Sequence, residues 1–450
     1  MSSQAFPTRT PLWQWPAAQR KGALMAMIMP SFLILVLVLA NMSYLLGTTF
    51  EQTKRSHALK ILAVDYDAGA IGAAVSQASK SLQNPSFPTI EFASASKYSD
   101  PAAIKNAVCR GDYWAAIYTP AGASTKLASA INGTLSGEYN PADSVVYTYN
   151  QARYPTVADS TLLSSIQKIV GAARGAYYQS PNGTAALSSL GRNPAGAAAF
   201  LNPIQSTADL IRPTVQGSRV FFNTVNIIIP TLAQFFYLLA LNGAGASTGF
   251  LARARVRDVW VLRFGIAKIY AFLTALTVTG YLWAFRESWG VGSSEFGLTL
   301  LVFWLYMDVQ WQVLESLVAS FVPMHFSPFF FLTWIIVNIA SVVTPLELMP
   351  GFYRLGYALP ARNAYSLMVL AWSGCGAGQT RIALPVLFAW WVGGQVLAVF
   401  SIRKRCADAG KLAAAAAVNA DADADEQMPP RSASTELTLR SDEEQVRNEK

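Results

Sequence analysis

Charge is what this sequence has least of. Only 13% of its 450 residues are Asp, Glu, Lys or Arg, about half the share of an ordinary soluble domain. With 52% hydrophobic residues unevenly spread along the chain, a purely soluble assembly is excluded and a membrane protein indicated. Histidine is almost absent: His57 and His325 cannot furnish a histidine-rich metal centre. Three scattered cysteines, Cys109, Cys375 and Cys406, are too few for a zinc site or a disulfide scaffold. No G-x-x-x-x-G-K-[ST] loop occurs, so the chain carries no P-loop ATPase of its own. The net charge of +8 does not point to nucleic acid, because the basic residues cluster beside apolar spans, as the positive-inside rule requires. No cofactor is expected.

What is present is a series of long apolar runs. The first, Gly22 to Gly47, is long enough to cross a bilayer core of about 30 Å at about 1.5 Å per residue. Arg20 and Lys21 precede it, which places residues 1–21 in the cytoplasm and makes the run an uncleaved signal anchor. Further spans are expected at Phe221–Leu241, Phe264–Phe285, Phe296–Ala319, Pro328–Thr344 and Ile382–Ile402. The loop "GFLARARVRDVWVLR", with Arg253, Arg255, Arg257 and Arg263, and the "RKR" at Arg403–Arg405 belong to the cytoplasmic side. Six spans, residues 22–47 and five within 221–402, then leave both termini inside. The low-complexity, charged tail at 403–450 is expected to be disordered.

Residues 48–220 are polar and alternate strand-like and helix-like stretches, an α/β domain placed outside by this topology. "SDPAAIKNAV" offers Asp100 as N-cap and Pro101 at the first helical position, a strong helix start. "LKILAVDYDAGAIGAAV" ends a strand in Asp65 and Asp67, the arrangement of a phosphoryl-transfer aspartate pair in haloacid-dehalogenase-type phosphatases. Gly69 stands where that pattern wants threonine or valine, and no later acidic cluster completes a magnesium site. The acids are therefore read as capping the following helix, and the protein as no enzyme.

These motifs in combination resemble a known group. "AVDYDAGAIG", "SFPTIEF", "VCRGDYWAAIYT", "NQARYPTVADS", "FLNPIQ" and "FFNTVNIIIPTLAQFFYLLALNG" are similar to the fungal nitrosoguanidine-resistance membrane proteins and to YhgE/Pip-like, type-2 ABC-exporter permease-like proteins, over about Lys21 to Arg405. The resemblance implies a multi-pass plasma-membrane protein linked to resistance to toxic compounds, by export or membrane protection. It also implies a homodimer and an outer hairpin at 345–380, broken at Pro345, Pro350 and Pro360. It supplies no catalytic residues. Energy would come from a separate ATPase docked on the Arg253–Arg263 loop or from an ion gradient. The alternative is a non-transporting scaffold or regulator of lipid distribution or of another transporter.

In the fourth span Asp308, Trp311, Gln312 and Glu315 share one helical stripe. A carboxylate at that depth costs about 2.5–3.5 kcal/mol on insertion scales, so it must face protein or water. The stripe is either a transport path for protons or a cationic substrate, or a polar contact with Asn338 of the fifth span or Asn226 of the second. Asn132 and Asn182, each in "NGT", are candidate glycosylation sites on the outer domain. Cys109 and Cys375 fall on the side where oxidation is permitted, leaving a disulfide between them as one alternative. Trp283, Trp304, Trp334 and Trp390 read as interfacial belts and packing rather than a drug cage. Arg354, Arg362 and Arg381, on the outer side, are expected to snorkel.

Overall fold

The computed structural model describes residues 10–190, 193–323 and 326–426. His325, residues 1–9 and the part of the expected disordered tail beyond 426 lie outside the described residues.

Helix α1, Ala17–Gly47, is 31 residues long and mostly exposed, with Asn41 buried and Tyr44 partly covered. The Asn41 amide donates to Leu37 O at 3.0 Å and to Thr333 Oγ1 at 3.2 Å, and the Tyr353 hydroxyl donates to Tyr44 O at 2.7 Å, so polar contacts dock this apolar rod on its neighbours.

The α/β unit follows. Its strands are β1 (Lys60–Asp65), β2 (Thr89–Ala93), β3 (Ala115–Thr119), β4 (Val145–Tyr149) and β5 (Ser206–Ala208), in the order β2-β1-β3-β4-β5. β1 runs parallel to β2 and β3, β3 pairs antiparallel with β4, and β4 is parallel to β5. Side-chain alternation along β1 serves both layers. Ile61 and Ala63 join the core beneath α2 (Ala70–Leu82), α4 (Ala123–Ile131) and α6 (Ser164–Gln179). Leu62 and Val64 pack with Ile104 and Val108 of α3 (Pro101–Arg110) on the other face. Asp100 caps α3 as expected, accepting from Ala103 N at 2.8 Å. Short helices α5 (Pro155–Val157), α7 (Pro181–Ser189) and α8 (Pro194–Leu201) complete the unit.

The bundle comprises α9 (Val225–Thr248), the short α10 (Phe250–Arg253), α11 (Val256–Ala284), α12 (Ser293–Val313), α13 (Ser327–Ala340), α14 (Pro360–Ser373) and α15 (Thr380–Glu426). A π-helical turn, Leu314–Val318, extends α12. Among the described residues, five helices are long and apolar enough to cross a membrane, so the chain is a multi-pass membrane protein. The expected span at Pro328–Thr344 is only the 14-residue α13, about 21 Å long. This differs from six full spans because Ser341 to Pro345 turns the chain before the helix reaches bilayer length. Two boundaries also move. α11 starts at Val256 and takes Arg257 and Arg263 into the helix. α15 continues to Glu426, so the segment 403–426, expected to be disordered, is helical; its alanine-rich sequence has high helix propensity.

Pro345, Pro350 and Pro360 open short helical segments instead of merely breaking a hairpin, since proline suits a helix start. α14 is buried along most of its length, Trp372 completely.

α12 and α15 approach closely at Gly394, where a Cβ would overlap the Gln312 side chain. Gly394→Val is expected to lower stability by about 1–3 kcal/mol, as overpacking does. A fall in the thermal midpoint of the detergent-purified protein checks it.

Candidate functional site

The acids of α12 do not meet the asparagines expected of them. Asp308 Oδ2 accepts from the ammonium of Lys268, on α11, and from Trp391 Nε1 of α15 at 2.5 Å. Its other oxygen, Oδ1, has no protein partner. Asp308 lies ten residues before the end of the π turn at Val318, about 15 Å along the axis, and fifteen after Ser293, about 22 Å. Within a helix of bilayer length this is mid-span. Asp308 is buried, 8% exposed, and Lys268 is largely covered, 19% exposed, so each ion depends on the other for its compensation.

About 10 Å further along α12, Glu315 forms a second cluster. Arg263 donates to both carboxylate oxygens, at 2.8 and 2.9 Å, and Arg405 of α15 to one of them at 2.7 Å. The Asn242 carbonyl of α9 accepts from both guanidiniums, at 3.1 and 2.5 Å. Four helices thus converge on one carboxylate, positioned by the π turn, a distortion frequent at functional sites. Ser320 and Ser401 hydrogen-bond beside it, and Ser401 Oγ donates to Glu315 O at 3.1 Å.

This arrangement corrects several expectations. Arg263 and Arg405, read only as charge of the cytoplasmic side, also turn inward as partners of Glu315. Asn338 accepts from Ala361 N and donates to Trp334 O, serving helix packing. Asn226 receives only the Tyr281 hydroxyl at 3.5 Å. Gln312 packs on α15, its Oε1 without a partner. The stripe is therefore real as a stripe, but its counterions come from α11 and α15. One signal could have found them: Lys268 is a lone cation in an apolar run, a residue that demands a partner.

In the α/β unit, Asp65 and Asp67 do not cap α2, whose N-cap Gly69 has no side chain to offer. Asp65 Oδ1 accepts from the Asp67 and Ala68 amides. Asp67 accepts from Ser124 N at 3.0 Å and from its hydroxyl, while Ser124 Oγ accepts from Ile71 N at 2.8 Å. The starts of α2 and α4 are thereby interlocked through Asp67 and Ser124. Among the described residues no group of three or more His, Cys, Asp or Glu could hold a metal ion.

Cys109 at the end of α3 and Cys375 after α14 lie with sulfurs at bonding distance, 1.99 Å, and Gly376 N donates to Cys109 O beside them. The contact ties the α/β unit to the bundle. Asn132 and Asn182 are both exposed, at the end of α4 and the start of α7. Arg362, expected to snorkel, is instead 7% exposed, whereas Arg354 and Arg381 are exposed.

Residues 31–396 match the model of a family described as "Protein of unknown function (DUF3533)", and the chain belongs to that family. No curated protein matches the chain, and neither does any solved structure.

Proposed function

We propose, for a chain whose family description assigns no activity, a permease-like role in the plasma membrane: conferring resistance to toxic compounds by moving them out of the cell or its bilayer. The observation that carries the reading is the largely covered Lys268–Asp308 pair at mid-span. Ionisable residues within apolar spans are costly and mark substrate or ion pathways. Asp308 keeps one oxygen free of protein donors, which suits a group that exchanges a proton or meets a cationic substrate. In this reading α13 and α14 together make the sixth crossing, the termini are cytoplasmic, the protein works as a homodimer, and the α/β unit lies outside. The Cys109–Cys375 contact supports that side, since disulfides persist in oxidising compartments. Of the loop arginines, Arg253, Arg255 and Arg257 are exposed and available to a separate ATPase. Arg263 is not.

A non-transporting scaffold or regulator of lipid distribution is the second reading, favoured by the missing P-loop and by the mutual satisfaction of Glu315 and its two arginines. Purified protein in liposomes, with and without a proton gradient, separates the two: substrate movement driven by the gradient supports transport, and none at all sinks it. Orientation has its own measurement. A mobility shift on glycosidase treatment, lost in Asn132→Gln, Asn182→Gln, is the expected result; labelling of the α/β unit only in permeabilised cells would overturn the outside placement.

A further inference from the structure

Two guanidiniums face one cavity where the α/β unit meets the bundle. Arg153, just beyond β4, stacks with its Cζ 3.5 Å from the centroid of the Trp114 ring. Arg362, the third residue of α14, lies 4.9 Å from the Tyr357 ring centroid. Its Nη1 donates to Ser366 Oγ and its Nη2 to Gln379 Oε1 at 3.3 Å. Its Nε, though buried, has no acceptor. Among the described residues the only carboxylate lining the cavity is Glu347, and it stands 4.0 Å from Arg153, the far limit of an ion pair.

The charges do not balance. Two cations meet one anion, and the partners of Arg362 are all neutral. Tyr113 and Tyr154, which line the cavity, do not make up the difference, because burial pushes both up to about 12; both remain protonated. A buried cation without a counterion costs several kcal/mol, and the planar fork of arginine fits the oxygens of carboxylate or phosphate.

We propose that this cavity binds one anionic group, a carboxylate or a phosphate, between Arg362 and Arg153. The space is about 40 Å³, room for about three waters, which suits such a group but not a drug-sized molecule. The group can arrive on a free anion or as the headgroup of an acidic lipid. Bound there, it would hold α14 to the α/β unit beside the Cys109–Cys375 contact. The inference is independent of the transport reading and of which side the unit occupies.

The test uses the full chain. Inorganic phosphate and acetate are titrated calorimetrically into the detergent-purified protein. Thermal midpoints are then compared in nanodiscs of phosphatidylcholine with and without phosphatidylserine. Binding of phosphate or acetate identifies a free anion; stabilisation by phosphatidylserine alone identifies a headgroup. In either arm Arg362→Gln is expected to weaken the effect at least about tenfold, and Glu347→Gln, which frees Arg153, to strengthen it. The opposite directions separate binding from a folding defect, and should Arg362→Gln not fold, Glu347→Gln still decides. No response to any of the three probes, or equal responses in wild type and Glu347→Gln, overturns the site.

Discussion

Glu315→Gln is expected to be the most destabilising single substitution in the bundle. It leaves Arg263 and Arg405, 7% and 9% exposed, with only the Asn242 carbonyl and the new amide as acceptors. Breaking a buried ion pair by removing one partner costs about 3–5 kcal/mol, a large fraction of a total stability of about 5–15 kcal/mol. Arg405→Gln is expected to be milder, because it leaves the two-bond Arg263–Glu315 pair intact and electrically neutral. The double variant Glu315→Gln, Arg405→Gln should be more stable than Glu315→Gln alone, since it removes one of the stranded cations. Thermal midpoints by fluorescence-detected size exclusion give the ranking directly. If Glu315→Gln melts with the wild type, or Arg405→Gln melts below Glu315→Gln, the cluster is not held together by its charge.

The second large effect concerns function. Asp308→Asn strands Lys268, and Lys268→Met strands Asp308; in the transport reading each is expected to remove most gradient-driven export, because a pathway that moves a proton or a cation loses one of its two ionisable groups. Taken alone, such losses could equally reflect a damaged bundle. The informative variant is therefore Lys268→Met combined with Asp308→Asn, which removes both charges at similar volume. Replacing a buried pair by neutral groups is often neutral or stabilising, so this protein should express and melt at or above the single variants. Its export should nevertheless stay low and cease to respond to the proton gradient. Wild-type export in the double variant would reduce the pair to a structural contact and remove the transport reading's main support.

Much of the architecture is written in local sequence. Runs such as Gly22–Gly47 announce membrane helices because hydropathy and length alone decide whether a segment can cross. Asp100 and Pro101 announce α3 because capping is a matter of four or five consecutive residues. β1 is legible for the same reason, an apolar run closed by turn residues. The aspartate pair after it reads locally as a cap for α2, and that reading fails, since no side chain caps α2. That Asp67 serves α4 through Ser124, 57 positions on, depends on the crossover that brings those two loops together.

The candidate site divides along the same line. The sequence by itself determined that Asp308 and Glu315 share a face and that a charge in lipid needs a partner, because both follow from helical period and dielectric. Only the tertiary structure decided which partners: Lys268 for one, Arg263 and Arg405 for the other, and Cys375 for Cys109 across 266 positions. It also decided that Arg362 turns into a cavity instead of toward the membrane surface. A hydrogen-bonded ion pair or a disulfide forms only at contact distance, and which residues come that close is set by how whole helices pack, information that no local stretch of sequence contains.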